Sequence, residues 1–284
     1  MPATPIVALG SRHFAGVKPG RDENVMDDPR MIQGRQNLAA IEGSDCASIV
    51  EALKDVAPDL ARLAIGFVYG DLYARGGLSL PQRQLATVAA LATLGGVEPQ
   101  LEFHIAGALN VGCSPTQIVE LMIHLVAYAG FPVAVNGTAA ARAVFDRRGV
   151  RPSIRATEGP PPASRYRDGW ARLREVDGHL GEQVIDSLNG LSPDLGRFII
   201  EFAFGDIYTR PGLDLLSREL VSVAALAAMG SATPQLKVHM NGFLNVGGTS
   251  GQLVEIVTHI AAYAGFPRAI NAAMTAKEVL ADRS

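Results

Sequence analysis

The strongest constraint on this chain is that it contains itself twice. Residues 58–136 return at 193–271, in a register of 135 residues that holds without a gap. Phe67, Gly70, Asp71 and Tyr73 match Phe202, Gly205, Asp206 and Tyr208. Pro99, Gln100, Leu101 and His104 match Pro234, Gln235, Leu236 and His239. The string Leu-Asn-Val-Gly at 109–112 returns at 244–247, and Ala-Tyr-Ala-Gly-Phe-Pro at 127–132 returns at 262–267. About half the aligned positions are identical, far more than chance allows in an ungapped register. The period is too long for a solenoid, so it reads as a duplicated domain.

Within each copy the periodicity is helical and strand signals are weak. In the first copy one helix is expected from about Asp59 to Leu72. Pro81 opens another through Gln82 to Leu94, which Gly95-Gly96 ends. A third runs from about Pro99 to Val111. Ser114-Pro115 caps a fourth, from Thr116 to Ala129, that stops at Gly130, and a fifth follows Pro132. Leu85, Val88, Ala89 and Ala92, then Ile118, Leu121, Met122 and Leu125, recur at the spacing of one buried helix face. The fold class expected is all-α, two tandem copies of one helical domain. The boundaries expected are an N-terminal arm over 1–43, a first repeat over 44–146, a Pro-rich and basic linker over 147–169 and a second repeat over 170–284. The arm has no visible counterpart in the second copy.

Composition narrows the function class. A net charge of −3 with no long basic run argues against nucleic acid or an anionic membrane as partner. No uninterrupted apolar run reaches the length of a membrane span, and the N-terminus lacks the pattern of a signal peptide. The two cysteines, Cys46 and Cys113, make no disulfide framework, so a reducing, cytoplasmic setting is expected.

Four of the six histidines are paired by the repeat, whereas neither cysteine is. His104 and His239 sit at the edge of an apolar helix stripe, where an imidazole can be a general acid or base or a core residue bound to a carbonyl. His124 and His259 each follow a glutamate, Glu120 or Glu255, by four residues on one helix face. That glutamate either orients a catalytic imidazole, forms a surface pair, or binds an arginine of a neighbouring helix. Arg83 and Arg218 open the Ala-rich helix. They either pair with Asp71 and Asp206 to lock helices or hold a substrate carboxylate. Gln84 and Glu219 stand at one repeat position, so only the second copy carries a carboxylate there. Phe103 against Val238 and Ala106 against Asn241 make the two pockets differ in shape. No metal site is expected: His104, Glu120 and His124 follow no metal-ligand spacing. Phosphate-binding and dinucleotide fingerprints are missing too.

The strings from Glu201 to Gly230 and from Pro234 to Pro267, and their first-copy equivalents, resemble the carboxymuconolactone decarboxylase family. The most specific features are His-x-x-x-Ala/Gly-Leu-Asn-x-Gly, the Glu-x-x-x-His helix and Tyr-Ala-Gly-Phe-Pro. The resemblance implies an all-α fold assembling into rings, hence a homotrimer of tandem chains as a pseudo-hexamer. It implies a cofactor-free lyase acting on a small carboxylate or lactone. His104, His239, Glu219, His124 and His259 would be catalytic, and Arg83, Arg218, Asp71 and Asp206 would bind substrate. Proton transfer on an aromatic or polyketide-like intermediate and a non-catalytic binding or scaffold role are the alternatives. A sister branch of peroxidases carries Cys-x-x-Cys before the matching histidine. Here those positions hold Val97 and Gln100, and Ala232 and Gln235, which argues against peroxidase activity.

Overall fold

A computed structural model describes residues 28–43, 47–153 and 161–283. Among them every regular element is helical, as the periodicity requires. In the first repeat α1 (Pro29–Glu42) and α2 (Ala47–Leu53) precede α3 (Pro58–Leu63), which widens into a π-helical segment over Ala64–Leu72. Then come α4 (Leu80–Leu94), α5 (Glu98–Asn110) and α6 (Pro115–Arg148). In the second, α7 (Arg165–Val176), α8 (Gly178–Leu188) and α9 (Pro193–Phe198) lead into a π-helical segment over Ile199–Ile207. They are followed by α10 (Leu215–Met229), α11 (Thr233–Asn245), α12 (Ser250–His259), α13 (Ala261–Ala264) and α14 (Phe266–Ala281).

The local causes are legible. Ser79 and Ser114 form capping boxes with Gln82 and Gln117, each followed by proline in the first helical turn. Gly130, at φ 84° and ψ 168°, breaks α6 one residue before Phe131-Pro132, and Gly265 does the same between α13 and α14. By length and composition α6 is apolar enough to cross a membrane. It is broken at Gly130, however, and buries Ile118, Leu121, Met122 and Leu125 in the core.

The repeats do not fold as two separate cores. α4 and α10 lie against each other, and Ala86, Ala89 and Ala90 meet Val221, Ala224 and Ala225 in one apolar cluster that spans both copies. Alanine at these positions lets the backbones approach closely, which the Ala-rich string Val-Ala-Ala-Leu-Ala ensures in each copy. Elsewhere the copies diverge by compensation. A side chain on Gly248 would lie 2.3 Å from the Phe243 ring, whereas the matching pair in the first copy is Cys113 with the small Ala108. Cys113 is buried as a free thiol.

The expectation of an unmatched arm over 1–43 is corrected. Residues 1–27 lie outside the described residues, but α1 occupies in the first copy the place of α7 in the second. Gly34 and Gly169, also 135 apart, bring these helices onto the π-helical segments: a Cβ on either would sit within 2.3 Å of Ile65 O or 2.0 Å of Ile200 O. The asparagine of Leu-Asn-Val-Gly anchors each helix at its end, Asn110 Nδ2 donating to Ile41 O (2.7 Å) and Asn245 Nδ2 to Val176 O (2.8 Å). The expected linker over 147–169 is likewise shorter, because α6 runs to Arg148 and α7 starts at Arg165.

Candidate active site

Each repeat builds a polar cluster that its partner completes. The π-helical turns deliver Tyr73 and Tyr208, whose backbone N–H groups bond Val68 O (2.9 Å) and Ala203 O (3.0 Å) five residues back. α4 and α10 supply Arg83, Gln84 and Thr87, and Arg218, Glu219 and Ser222. α5 and α11 supply His104 and His239. The helix with Glu-x-x-x-His comes from the other copy: α12 and α13 bring Glu255, His259 and Tyr263 to the first cluster, and α6 brings Glu120, His124 and Tyr128 to the second.

The arginines are held by glutamates of the partner repeat, while Arg83 Nε and Arg218 Nε and Nη1 are buried without a hydrogen-bond partner. Arg218 is fully buried, and its Nη2 donates to Glu120 Oε2 (3.3 Å) and Arg210 O (2.9 Å). Arg83 Nη2 bonds Glu255 Oε2 (3.0 Å) and Arg75 O (2.7 Å) in the same way. Arg210 and Arg75 close the same carboxylates from outside. Glu120 and Glu255 therefore bind arginines of the partner repeat rather than the histidines four residues on. Asp71 and Asp206 pair instead with Arg30 (2.7 Å) and with Arg165, whose Nε lies 2.9 Å from Asp206 Oδ1. These bonds tie α1 and α7 to the π-helical segments.

His124 and His259 are buried and meet hydroxyls. His124 Nε2 is 2.8 Å from Ser222 Oγ, and His259 Nε2 is 2.8 Å from Thr87 Oγ1. Burial, then the neighbouring Arg83 charge and His104, push His259 down to about 3. Burial, Arg218 and His239 push His124 well below the ordinary range. Both stay neutral at pH 7 and fix the orientation of the helices that carry them.

The two remaining histidines differ sharply. His104 Nδ1–H donates to Gln84 Oε1 (3.0 Å), while Gln84 Nε2 donates to the Tyr73 hydroxyl (2.9 Å). An amide cannot compensate an imidazolium, and burial alone holds His104 at about 3. His239 Nδ1–H donates to Glu219 Oε2 (2.9 Å), and the Tyr208 hydroxyl donates to the other Glu219 oxygen. Burial also pushes His239 down, but the Glu219 and Asp177 charges and the Glu219 hydrogen bond override it and raise the imidazole to about 9. His239 is thus a cation at neutral pH and His104 is not.

His239 opens onto a cavity of about 300 Å³. Leu226, Phe204, Ile185 and Val238 line it with Tyr128, whose ring meets the imidazole edge-on at 4.9 Å. Among the described residues no arginine or lysine lines it. In the first copy, Phe103 replaces Val238 and packs edge-on against His104, with ring centroids 5.1 Å apart.

Asp177 is the lining residue that sequence reasoning missed. Its first-copy counterpart is Glu42, and extending the 135-residue register upstream of residue 58 would have exposed the pair. Asp177, Glu219 and His239 each place one donor atom within 4.8 Å of the others. A cation there would have to displace the proton on His239 Nδ1, so proton and metal compete for one place.

The model of the carboxymuconolactone decarboxylase family matches residues 58–143 and 193–278. A 4-carboxymuconolactone decarboxylase of Acinetobacter baylyi is 39% identical over 123 residues, 42% of this chain and 88% of the relative. A nitrosuccinic acid decarboxylase of Metarhizium robertsii is 33% identical over 86 residues, 30% of this chain and 59% of the relative. A solved chain from Burkholderia xenovorans, described as a gamma-carboxymuconolactone decarboxylase subunit, superposes with a TM-score of 0.54 at 23% identity. It covers 89% of this chain and 98% of its own, a likeness of fold.

Proposed function

The chain belongs to the carboxymuconolactone decarboxylase family, and from that premise we propose that it is a cofactor-free carbon–carbon lyase whose working site is in the second repeat. The observation that carries this reading is the Glu219–His239 pair at the wall of an apolar cavity. Loss of CO₂ leaves an electron pair that must pass into a conjugated carbonyl. A buried imidazolium beside that oxygen stabilises the developing charge far better than water does. The apolar wall favours the transition state, in which the carboxylate charge has dispersed. Glu219 keeps the acid protonated; the Tyr208 hydroxyl donates to Glu219, and the Tyr128 hydroxyl bonds that of Tyr208. The first site, with a neutral His104 against Gln84, has no such acid.

The substrate class that fits is a small ring acid or lactone with one carbonyl placed to meet His239. Two relatives bearing decarboxylase names support the reaction class. Exposed apolar residues recur in register on the outer helices: Phe131 and Val135 in one copy, Phe266 and Ile270 in the other. We assign this face to association of three chains into a pseudo-hexamer.

The test is CO₂ release from 4-carboxymuconolactone and from nitrosuccinic acid, without added metal, by the wild type, His104→Ala and His239→Ala. Turnover that survives the first substitution and not the second supports the reading. No turnover of either acid by folded wild-type protein counts against it.

A further inference from the structure

The cavity holds an ionisable group that the chemistry above leaves unused. Asp177 stands at the junction of α7 and α8, is buried, and lines the cavity beside His239. Its Oδ1 lies 3.7 Å from His239 Nδ1 and has no hydrogen-bond partner. The Nδ1 proton is already committed to Glu219. Two carboxyl groups therefore share one imidazolium, and only Glu219 is bonded to it. A charged carboxylate with no donor in an apolar wall is costly, and a proton relieves that cost.

We propose that Asp177 is the second acid of the site, the one that gives its proton to carbon after CO₂ has left; this rests on the decarboxylase reading above. Asp177 and His239 come from different helices and address one cavity, so they can reach two atoms of the same bound ring. The bond from ring carbon to the carboxylate breaks and CO₂ departs. Its electron pair enters the conjugated carbonyl, whose oxygen accepts a hydrogen bond from His239 Nε2–H. The electron pair then returns to carbon, which takes the Asp177 proton. Asp177 is left as the carboxylate and is reprotonated from solvent. One carboxylate and one proton become one C–H bond and one CO₂, and His239 keeps its proton throughout.

With Asp177 protonated, the Glu219 charge and its hydrogen bond are what hold the proton on His239. Burial raises the Asp177 carboxyl, His239 pulls it back, and Glu219 raises it again, with a net upward shift. The other ionisable groups facing it are the Tyr128 and Tyr208 hydroxyls. Burial and the nearby carboxylates hold both well above the ordinary phenol range.

The experiment compares the full-length wild type with Asp177→Asn, which keeps the shape and loses the proton. Asp177→Leu replaces it if the amide does not fold. The first readout needs no substrate: the infrared difference spectrum at pH 6 is expected to show the carbonyl stretch of a protonated carboxylic acid, lost in the variant. The second is turnover of 4-carboxymuconolactone and nitrosuccinic acid. A loss of about 100-fold or more in kcat is expected, with KM changed only a few-fold and the alkaline limb of the pH profile moved up to the loss of the His239 proton. Wild-type turnover with no loss in the variant overturns the role of Asp177 and leaves the decarboxylase reading standing. No turnover by the wild type sinks that reading; the infrared band alone then decides whether Asp177 is an acid. Absence of the band overturns the proposal in either case.

Discussion

His239 Nδ1 lies 2.9 Å from a carboxylate oxygen of Glu219, while 135 residues earlier His104 Nδ1 lies 3.0 Å from the amide oxygen of Gln84. Two nearly superposable contacts give opposite protonation states, because a carboxylate compensates the imidazolium and an amide only accepts a hydrogen bond. The first prediction follows from exchanging the partner. Gln84→Glu is expected to raise the His104 pKa from about 3 and to bring its ring signals into the observable titration range in proton–nitrogen spectra. An unshifted His104 would mean that the partner does not set the charge.

The histidines also predict how stability depends on pH. His104 and His259 stay neutral in the fold down to about 3, so below the ordinary value of 6.5 the unfolded chain binds protons that the folded chain refuses. Each such imidazole removes about 1.4 kcal/mol of stability per pH unit on that side. His239 has the opposite sign. Its raised pKa contributes stability that is complete below 6.5 and is lost as the pH rises through about 9. Melting temperature is therefore expected to peak near pH 6.5, and His239→Gln to flatten the alkaline side alone. A profile with the same alkaline slope in that variant would contradict the assignment.

Glu120 holds Arg210 and Arg218 across the repeat boundary, with Arg218 at 0% exposure. Glu120→Ala leaves a buried guanidinium without its counter-charge, a change that costs about 3–5 kcal/mol. Urea unfolding should show that loss. Glu255→Ala is expected to cost less, because Arg75, the outer partner there, is half exposed. Equal losses would mean that burial of the pair does not govern its contribution.

Asn245 ties the end of α7 next to Asp177. Asn245→Ala removes that part-buried hydrogen bond, about 1 kcal/mol of stability, together with an exposed one from Arg283, and is expected to weaken ligand binding at the second site. Asn110→Ala, at the first site, should cost similar stability and leave turnover unchanged. Loss of turnover in Asn110→Ala would place chemistry in the first repeat.

Much of this architecture was legible in the sequence, for physical reasons. Helix ends showed because Pro81, Ser114, Gly130 and Pro132 act locally, within a turn of where they stand. The identity of Gln84 against Glu219 showed because the repeat aligns them. Long-range partners did not show. Helical spacing puts Glu120 near His124 on one face, yet their side chains bond Arg218 and Ser222 of another helix, and periodicity carries no information about what packs there. Asp177 was hidden because α1 and α7 share few identities, among them Arg30 with Arg165 and Gly34 with Gly169, so the register fades upstream of residue 58.

The most direct test of the central claim is a pH titration of the imidazole signals in wild type and Glu219→Gln. The account predicts that His239 titrates near 9 in the wild type and falls steeply in the variant, toward the behaviour of His104. A wild-type His239 that titrates at or below 6.5, or one that Glu219→Gln leaves unmoved, would contradict it.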